Sequence, residues 1–146
     1  MKHFIVMAVT AVFAVGMIAC SSSSSSSSSA GSSSATAGGV GATEKDFAIT
    51  LAESSVPSGD VTFNISNEGP SAHEFVVVQS DLAPDALPVK DDEVQEDKLD
   101  SIGEQEDIAP NTTTDLTLTL DPGSYVVFCN ITGHYEQGMY ASLTVT

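Results

Sequence analysis

The chain has 146 residues, enough for one ordinary domain and nothing larger. Four Lys plus Arg stand against 20 Asp plus Glu, a formal charge of −16 at pH 7, so a nucleic-acid partner is excluded by repulsion. No Ser-His-Asp set and no phosphate-binding loop is present, and no enzyme activity is expected.

The first 19 residues carry Lys2 and then an uncharged run from Phe4 through Ala19. A short positive start followed by an apolar stretch that ends in small residues is the pattern of an export signal. It is too short for a comfortable membrane span. Its end, Met17-Ile18-Ala19-Cys20, resembles a bacterial lipobox, in which the Cys is acylated and becomes the new N-terminus. Cys20 is therefore the expected lipidation site and membrane anchor, with the remainder facing the periplasm or the cell exterior.

Residues 20–44 follow as a tether. Ser21 to Ser29 are all serine, and small residues continue through Gly38-Gly39, a composition that cannot bury a core. Loss of Lys2 with the signal makes the exported protein one unit more acidic. Anionic lipid surfaces would repel it, which helps hold the domain, residues 45–146, away from its own membrane.

From Phe47 the pattern turns to period two, the signature of half-buried strands. Phe47, Ile49 and Leu51 alternate, Val56-Pro57-Ser58-Gly59 turns, and Val61, Phe63 and Ile65 alternate again before Asn67-Glu68-Gly69-Pro70 breaks the run. His73 opens the apolar run Phe75 to Val78, which places it at the start of a strand.

Between Gln79 and Pro110 lies a strongly acidic segment, read as an excursion from the sheet. Asp91, Asp92 and Glu93 suit a helix N-terminus, where the macrodipole favours anions, and Val94, Leu99 and Ile102 give a narrow apolar side. A short helix with flanking loops is the expectation there. Strict alternation returns over Thr112 to Leu120, Asp121-Pro122-Gly123 turns the chain into Tyr125 to Cys129, and Tyr140 to Val145 forms a last strand. About seven to eight strands with a short helical, acidic insertion predict an all-β, Greek-key β-sandwich.

The chemistry concentrates in Cys129-Asn-Ile-Thr-Gly-His134-Tyr-Glu-Gln-Gly-Met139, a loop that leaves an apolar strand. Two His and one Cys in a trigonal set with a weak axial Met suit a one-electron copper centre. One more His is required. His3 lies in the signal, which leaves His73. With Cys20 acylated, Cys129 has no partner for a disulfide, and an exported protein with a single thiol has a reason for it in metal ligation. One thiolate is too few for a binuclear purple copper centre, and two His are too few for a trinuclear oxidase cluster. Zinc rarely takes Met and prefers a closed tetrahedron or a water.

These residues resemble the cupredoxins, the small blue copper proteins such as plastocyanin, azurin and the sulfocyanins, over roughly Phe47 to Thr146. The resemblance rests on Asp121-Pro122-Gly123-Ser124-Tyr125, the loop from Cys129 to Met139, and Ala72-His73-Glu74-Phe75. It implies one type 1 copper ion held by His73, Cys129, His134 and Met139, with each imidazole bonding through the nitrogen nearer Cβ. Two departures stand out. Thr132 occupies a place where many relatives carry Pro, and Glu74 one where they often carry Asn, a residue that in relatives helps tie the two ligand loops together near the Cys sulfur.

The function expected from this resemblance is one-electron transfer by a monomeric, membrane-tethered protein whose partners are redox proteins such as a cytochrome or terminal oxidase. The alternative is copper handling, delivery or sequestration in support of a copper oxidase. The acidity is read either as steering toward a basic partner or as solubility and salt adaptation. Asn-x-Ser/Thr matches at Asn64, Asn111 and Asn130 are read as chance.

Overall fold

A computed structural model describes residues 39–146. The export signal, Cys20 and most of the tether lie outside the described residues. Among the described residues no helix is long and apolar enough to cross a membrane.

Among the described residues eleven strands form two main sheets and a small hairpin. In chain order they are β1 (Val40–Lys45), β2 (Ala48–Leu51), β3 (Ser55–Val56), β4 (Gly59–Asn67), β5 (His73–Gln79), β6 (Val89–Lys90), β7 (Glu93–Val94), β8 (Asp100–Ile108), β9 (Thr113–Leu120), β10 (Gly123–Phe128) and β11 (Tyr140–Val145). One sheet has the order β2-β1-β4-β9 and the other β3-β11-β10-β5-β8, while β6 and β7 pair alone. Neighbours distant in sequence alternate within each sheet, as a Greek-key sandwich requires.

Period-two patterning explains the layer between the sheets. Val61, Phe63 and Ile65 of β4 face Phe75 and Val77 of β5, Val127 of β10 and Leu143 and Val145 of β11, all buried. β5 and β10 break the alternation because both their faces are covered. Val76, Val78, Val126 and Phe128 form a second cluster with Leu87, Val94 and Tyr135 on the outer face of the sheet. The continuous apolar runs Phe75–Val78 and Tyr125–Phe128 are thus strands buried on both sides.

Three expectations are corrected. The segment 91–102 holds no α-helix: Asp91 and Asp92 have φ of 56° and 66° and close a two-residue hairpin in which Lys90 pairs with Glu93. Two successive left-handed residues are what a type I′ turn demands, and Asp tolerates that region. A single 3-10 turn follows at Glu96–Lys98, and Ile102 lies in β8, which pairs with β5, so the acidic segment returns to the sheet. The tether does not extend to residue 44, since Val40–Lys45 is a strand paired in parallel with β4, with Val40 opposite Phe63 and Glu44 opposite Asn67. Burial of Val40 and Ala42 fixes it there. Phe47 is not an inward strand residue but the end of the turn joining β1 to β2.

Candidate metal centre

β10 delivers Cys129 at the end of its doubly buried run, and Cys129 is itself fully buried. The loop that follows folds back on its own start. The Cys129 N–H donates to the carbonyl of Met139 at 3.1 Å, the Met139 N–H to the carbonyl of His134 at 3.2 Å, and the His134 N–H to the carbonyl of Ile131 at 2.9 Å. Gly133 and Gly138, at φ of 79° and 106°, supply the left-handed positions this path needs. Met139 is buried in the same apolar cluster as Cys129.

His73 is placed by the turn that precedes β5. The buried Asn67 side chain organises that turn: Nδ2 donates to the carbonyls of Ser71 and Ile108, each at 2.8 Å, and Oδ1 accepts from the Gly69 N–H at 2.9 Å. A Cβ at Gly69 would stand 2.8 Å from Oδ1 of Asp46 and 3.0 Å from Nε2 of His73, so only glycine permits this approach.

The ligand-bearing atoms of His73, Cys129 and His134 all lie within 4.8 Å of one another. Sγ of Cys129 is 3.4 Å from Nδ1 of His134, and the two imidazole centroids are 5.3 Å apart at 64°. The Glu74 backbone N–H donates to Sγ at 3.4 Å. The Asp46 carboxylate approaches Nε2 of His73 at 3.3 Å. Neither Asp46 Oδ1 nor either ring nitrogen of His73 has an aligned hydrogen-bond partner, so the Asp46 contact is electrostatic.

A fully buried imidazole with unsatisfied nitrogens beside a thiol is costly unless something bonds it. One thiolate sulfur and two imidazole nitrogens with a nearby thioether form a soft donor set that fits a single type 1 copper ion. Burial chiefly pushes the Cys129 thiol up to about 11, against the opposing N–H groups of Ile131 and Glu74. Cys129 would give up that proton on binding a metal cation, since a coordinating thiol is deprotonated outright. Burial and then the neighbouring His134 hold His73 below its ordinary value, with Asp46 opposing, which favours the neutral ring that metals bind.

All four expected ligands are at this end of the sandwich. Several residues that shape it carried no sequence signal as site residues: Asn67, Asp46, Phe47, and Glu44, whose buried carboxyl oxygens have no partner. The acidic segment is also tied to the loop. Asn130 accepts from the Val94 N–H at 2.7 Å and donates to Glu96 Oε1 at 2.7 Å, Thr132 Oγ1 donates to Glu93 Oε1 at 2.7 Å, and the Gly133 N–H donates to the carbonyl of Asp92 at 2.8 Å. Tyr135, next to the ligand candidate His134, is buried; its hydroxyl accepts from the Leu87 N–H at 3.0 Å and donates to the carbonyl of Pro84 at 2.7 Å. Glu74, Glu104 and Glu106 also approach one another, but Glu104 and Glu106 are exposed and the group is a solvated acidic patch.

No curated protein matches this chain. Solved structures with the same fold include a dithionite-reduced auracyanin from Roseiflexus castenholzii, 24% identical with a TM-score of 0.57, covering 73% of this chain and 94% of that one. An azurin from Methylomonas sp. strain J is 21% identical with a TM-score of 0.53, covering 73% and 95%. Rusticyanin from Thiobacillus ferrooxidans is 18% identical with a TM-score of 0.53, covering 73% and 75%. The family model of the cupredoxin-like domain matches residues 10–145, and the chain belongs to that family.

Proposed function

We propose that this protein carries single electrons through one copper ion bound by His73, Cys129, His134 and Met139, outside the cytoplasm and tethered to a membrane through acylated Cys20. The observation that carries the reading is the convergence of His73, Cys129 and His134 donor atoms within 4.8 Å at the end of a rigid sandwich. Copper in such a site supplies a one-electron couple. The chain's part is to hold the donors still: His73 by the Asn67 turn and Asp46, Cys129 by β10 and the Glu74 N–H, and His134 and Met139 by the folded loop. Rigid donors lower the rearrangement that accompanies each electron.

Burial of His73, Cys129 and Met139 at 0% exposure weighs against copper delivery, which needs an accessible path for release. The structural relative rusticyanin is a copper protein, in keeping with this reading. His134 is only half-buried, so electrons would leave at its edge toward a redox protein. Protein-film voltammetry of the copper-loaded domain tests the function. A reversible one-electron wave that persists in the presence of a copper chelator supports a carrier; rapid loss of copper to the chelator would favour handling.

Membrane attachment is tested separately. Cys20→Ser should yield a soluble domain or an unprocessed precursor, whereas fully processed Cys20→Ser protein retained on membranes would contradict the anchor.

A further inference from the structure

Phe47 adopts a backbone conformation that bulky residues avoid. It ends the two-residue turn between β1 and β2 at φ 65°, a position where Gly or Asn sits without strain. The residue is also 39% exposed, one of two large apolar residues so exposed among the described residues. Neither turn geometry nor core burial accounts for phenylalanine here. Its ring does have one directed contact. It meets His134 edge-on, centroids 5.4 Å apart and planes at 89°. The Phe47 carbonyl lies 3.6 Å from where a Cβ on Gly138 would stand, so the turn also abuts the closing end of the ligand loop.

The two imidazoles differ in how they are held. His73 is fully buried with the Asp46 carboxylate at Nε2, whereas His134 is half-buried on a loop. The same two-residue turn reaches both, with Asp46 on His73 and Phe47 on His134. Strain kept where the surroundings do not require it points to a functional constraint. An edge-to-face aromatic pair gives an orientation that a glycine turn could not.

We propose that Phe47 is a positioning residue for His134, its left-handed turn keeping the ring edge-on against the imidazole so that the half-exposed ligand holds one orientation. Phe47 neither bonds the metal nor takes part in the electron step. The proposal rests on the copper-carrier reading for its purpose, but the contact itself exists without metal, which separates the two tests.

Phe47→Gly relieves the turn and removes the ring, so the variant should fold. In the metal-free protein, the His134 ring resonances should broaden or split by NMR while the melting temperature stays at or above that of the wild type. With copper bound, electron paramagnetic resonance should show more than one species, and electron self-exchange should slow several-fold. Phe47→Tyr should restore a single His134 orientation and one copper species. A Phe47→Gly protein with one sharp set of His134 resonances and one copper species would overturn the proposal. So would a lowered melting temperature with His134 unchanged, which would assign Phe47 to packing alone. If the wild type failed to form a trigonal copper site, the carrier reading would fall, while the metal-free NMR comparison would still decide the role of Phe47.

Discussion

The backbone N–H of Glu74 donates to Sγ of Cys129 across 3.4 Å, joining the residue after one histidine to the thiol at the end of β10. Because the donor is main chain, the bond does not depend on which side chain stands at position 74. The departure from the Asn often found there in relatives therefore leaves this sulfur contact intact. The buried Asn67, bonded to Ser71 and Ile108, ties the neighbouring loops instead.

Glu74→Ala should consequently leave the visible spectrum of the copper-loaded protein nearly unchanged, since the N–H remains. Above about pH 8, where the Glu74 carboxyl is ionised although burial and then the neighbouring Glu104 push it up to about 7, the reduction potential should rise on the order of tens of millivolts, because a nearby negative charge that favours Cu(II) is removed. A changed spectrum would mean that the side chain, not the backbone, sets the sulfur's environment.

Gly69→Ala would push a Cβ to 2.8 Å from Oδ1 of Asp46 and 3.0 Å from Nε2 of His73. Overpacking of this kind costs about 1–3 kcal/mol. The melting temperature should fall and copper affinity should drop tenfold or more, read by thermal denaturation and competition titration. Wild-type affinity in this variant would show that His73 is not held by this approach.

Glu44 offers a pH test on the metal-free protein. Burial, then the charge of Glu74, raises its carboxyl from 4.5 to about 8. Below 4.5 the folded and unfolded chains both hold the proton. Between there and about 8 only the folded chain does, so this group's contribution to stability declines as pH rises and then levels off. The decline amounts to a few kcal/mol, because each tenfold difference in proton affinity between the folded and unfolded chains is worth about 1.4 kcal/mol. Chemical denaturation from pH 5 to 9 should show a steeper decline in the wild type than in Glu44→Gln, where the Glu74 carboxyl, raised to about 7 chiefly by burial, leaves part of the slope. An equal slope in both would place the titration elsewhere.

The site was legible where its parts are close in sequence. Cys129, His134 and Met139 share one loop, and His73 followed because so few histidines exist. What the sequence hid were contacts made across the fold. Asp46 and Phe47 reach the histidines only because a two-residue turn ends there, and their residue types suggest nothing of the kind. β1 escaped notice because Val40-Gly41-Ala42 continues the small-residue composition of the tether, and its burial depends on parallel pairing with β4. Asp91-Asp92 suits a helix start as well as a left-handed turn. Pairing of Val89 with Val94 decides for the turn, and that pairing is tertiary information.

Steering by the acidic segment can be tested by charge removal at residues chosen to spare the ligand loop. Glu93 and Glu96 bond to Thr132 and Asn130, so neutralising them would disturb the ligand loop itself. Asp81, Asp91 and Asp97 are exposed and serve better. Their replacement by Asn should slow association with a basic cytochrome and flatten its salt dependence, since screening acts over about 10 Å at 0.1 M ionic strength. An unchanged salt slope in stopped-flow would assign the acidity to solubility.

The visible spectrum of the copper-loaded domain, wild type beside Cys129→Ser, tests the central claim most directly. A Cys129 thiolate bonded to Cu(II) in a trigonal set with His73 and His134 should give intense charge-transfer absorption toward the red end of the visible range. Cys129→Ser should fold and show none. A wild type that binds copper stoichiometrically yet remains colourless would contradict the account.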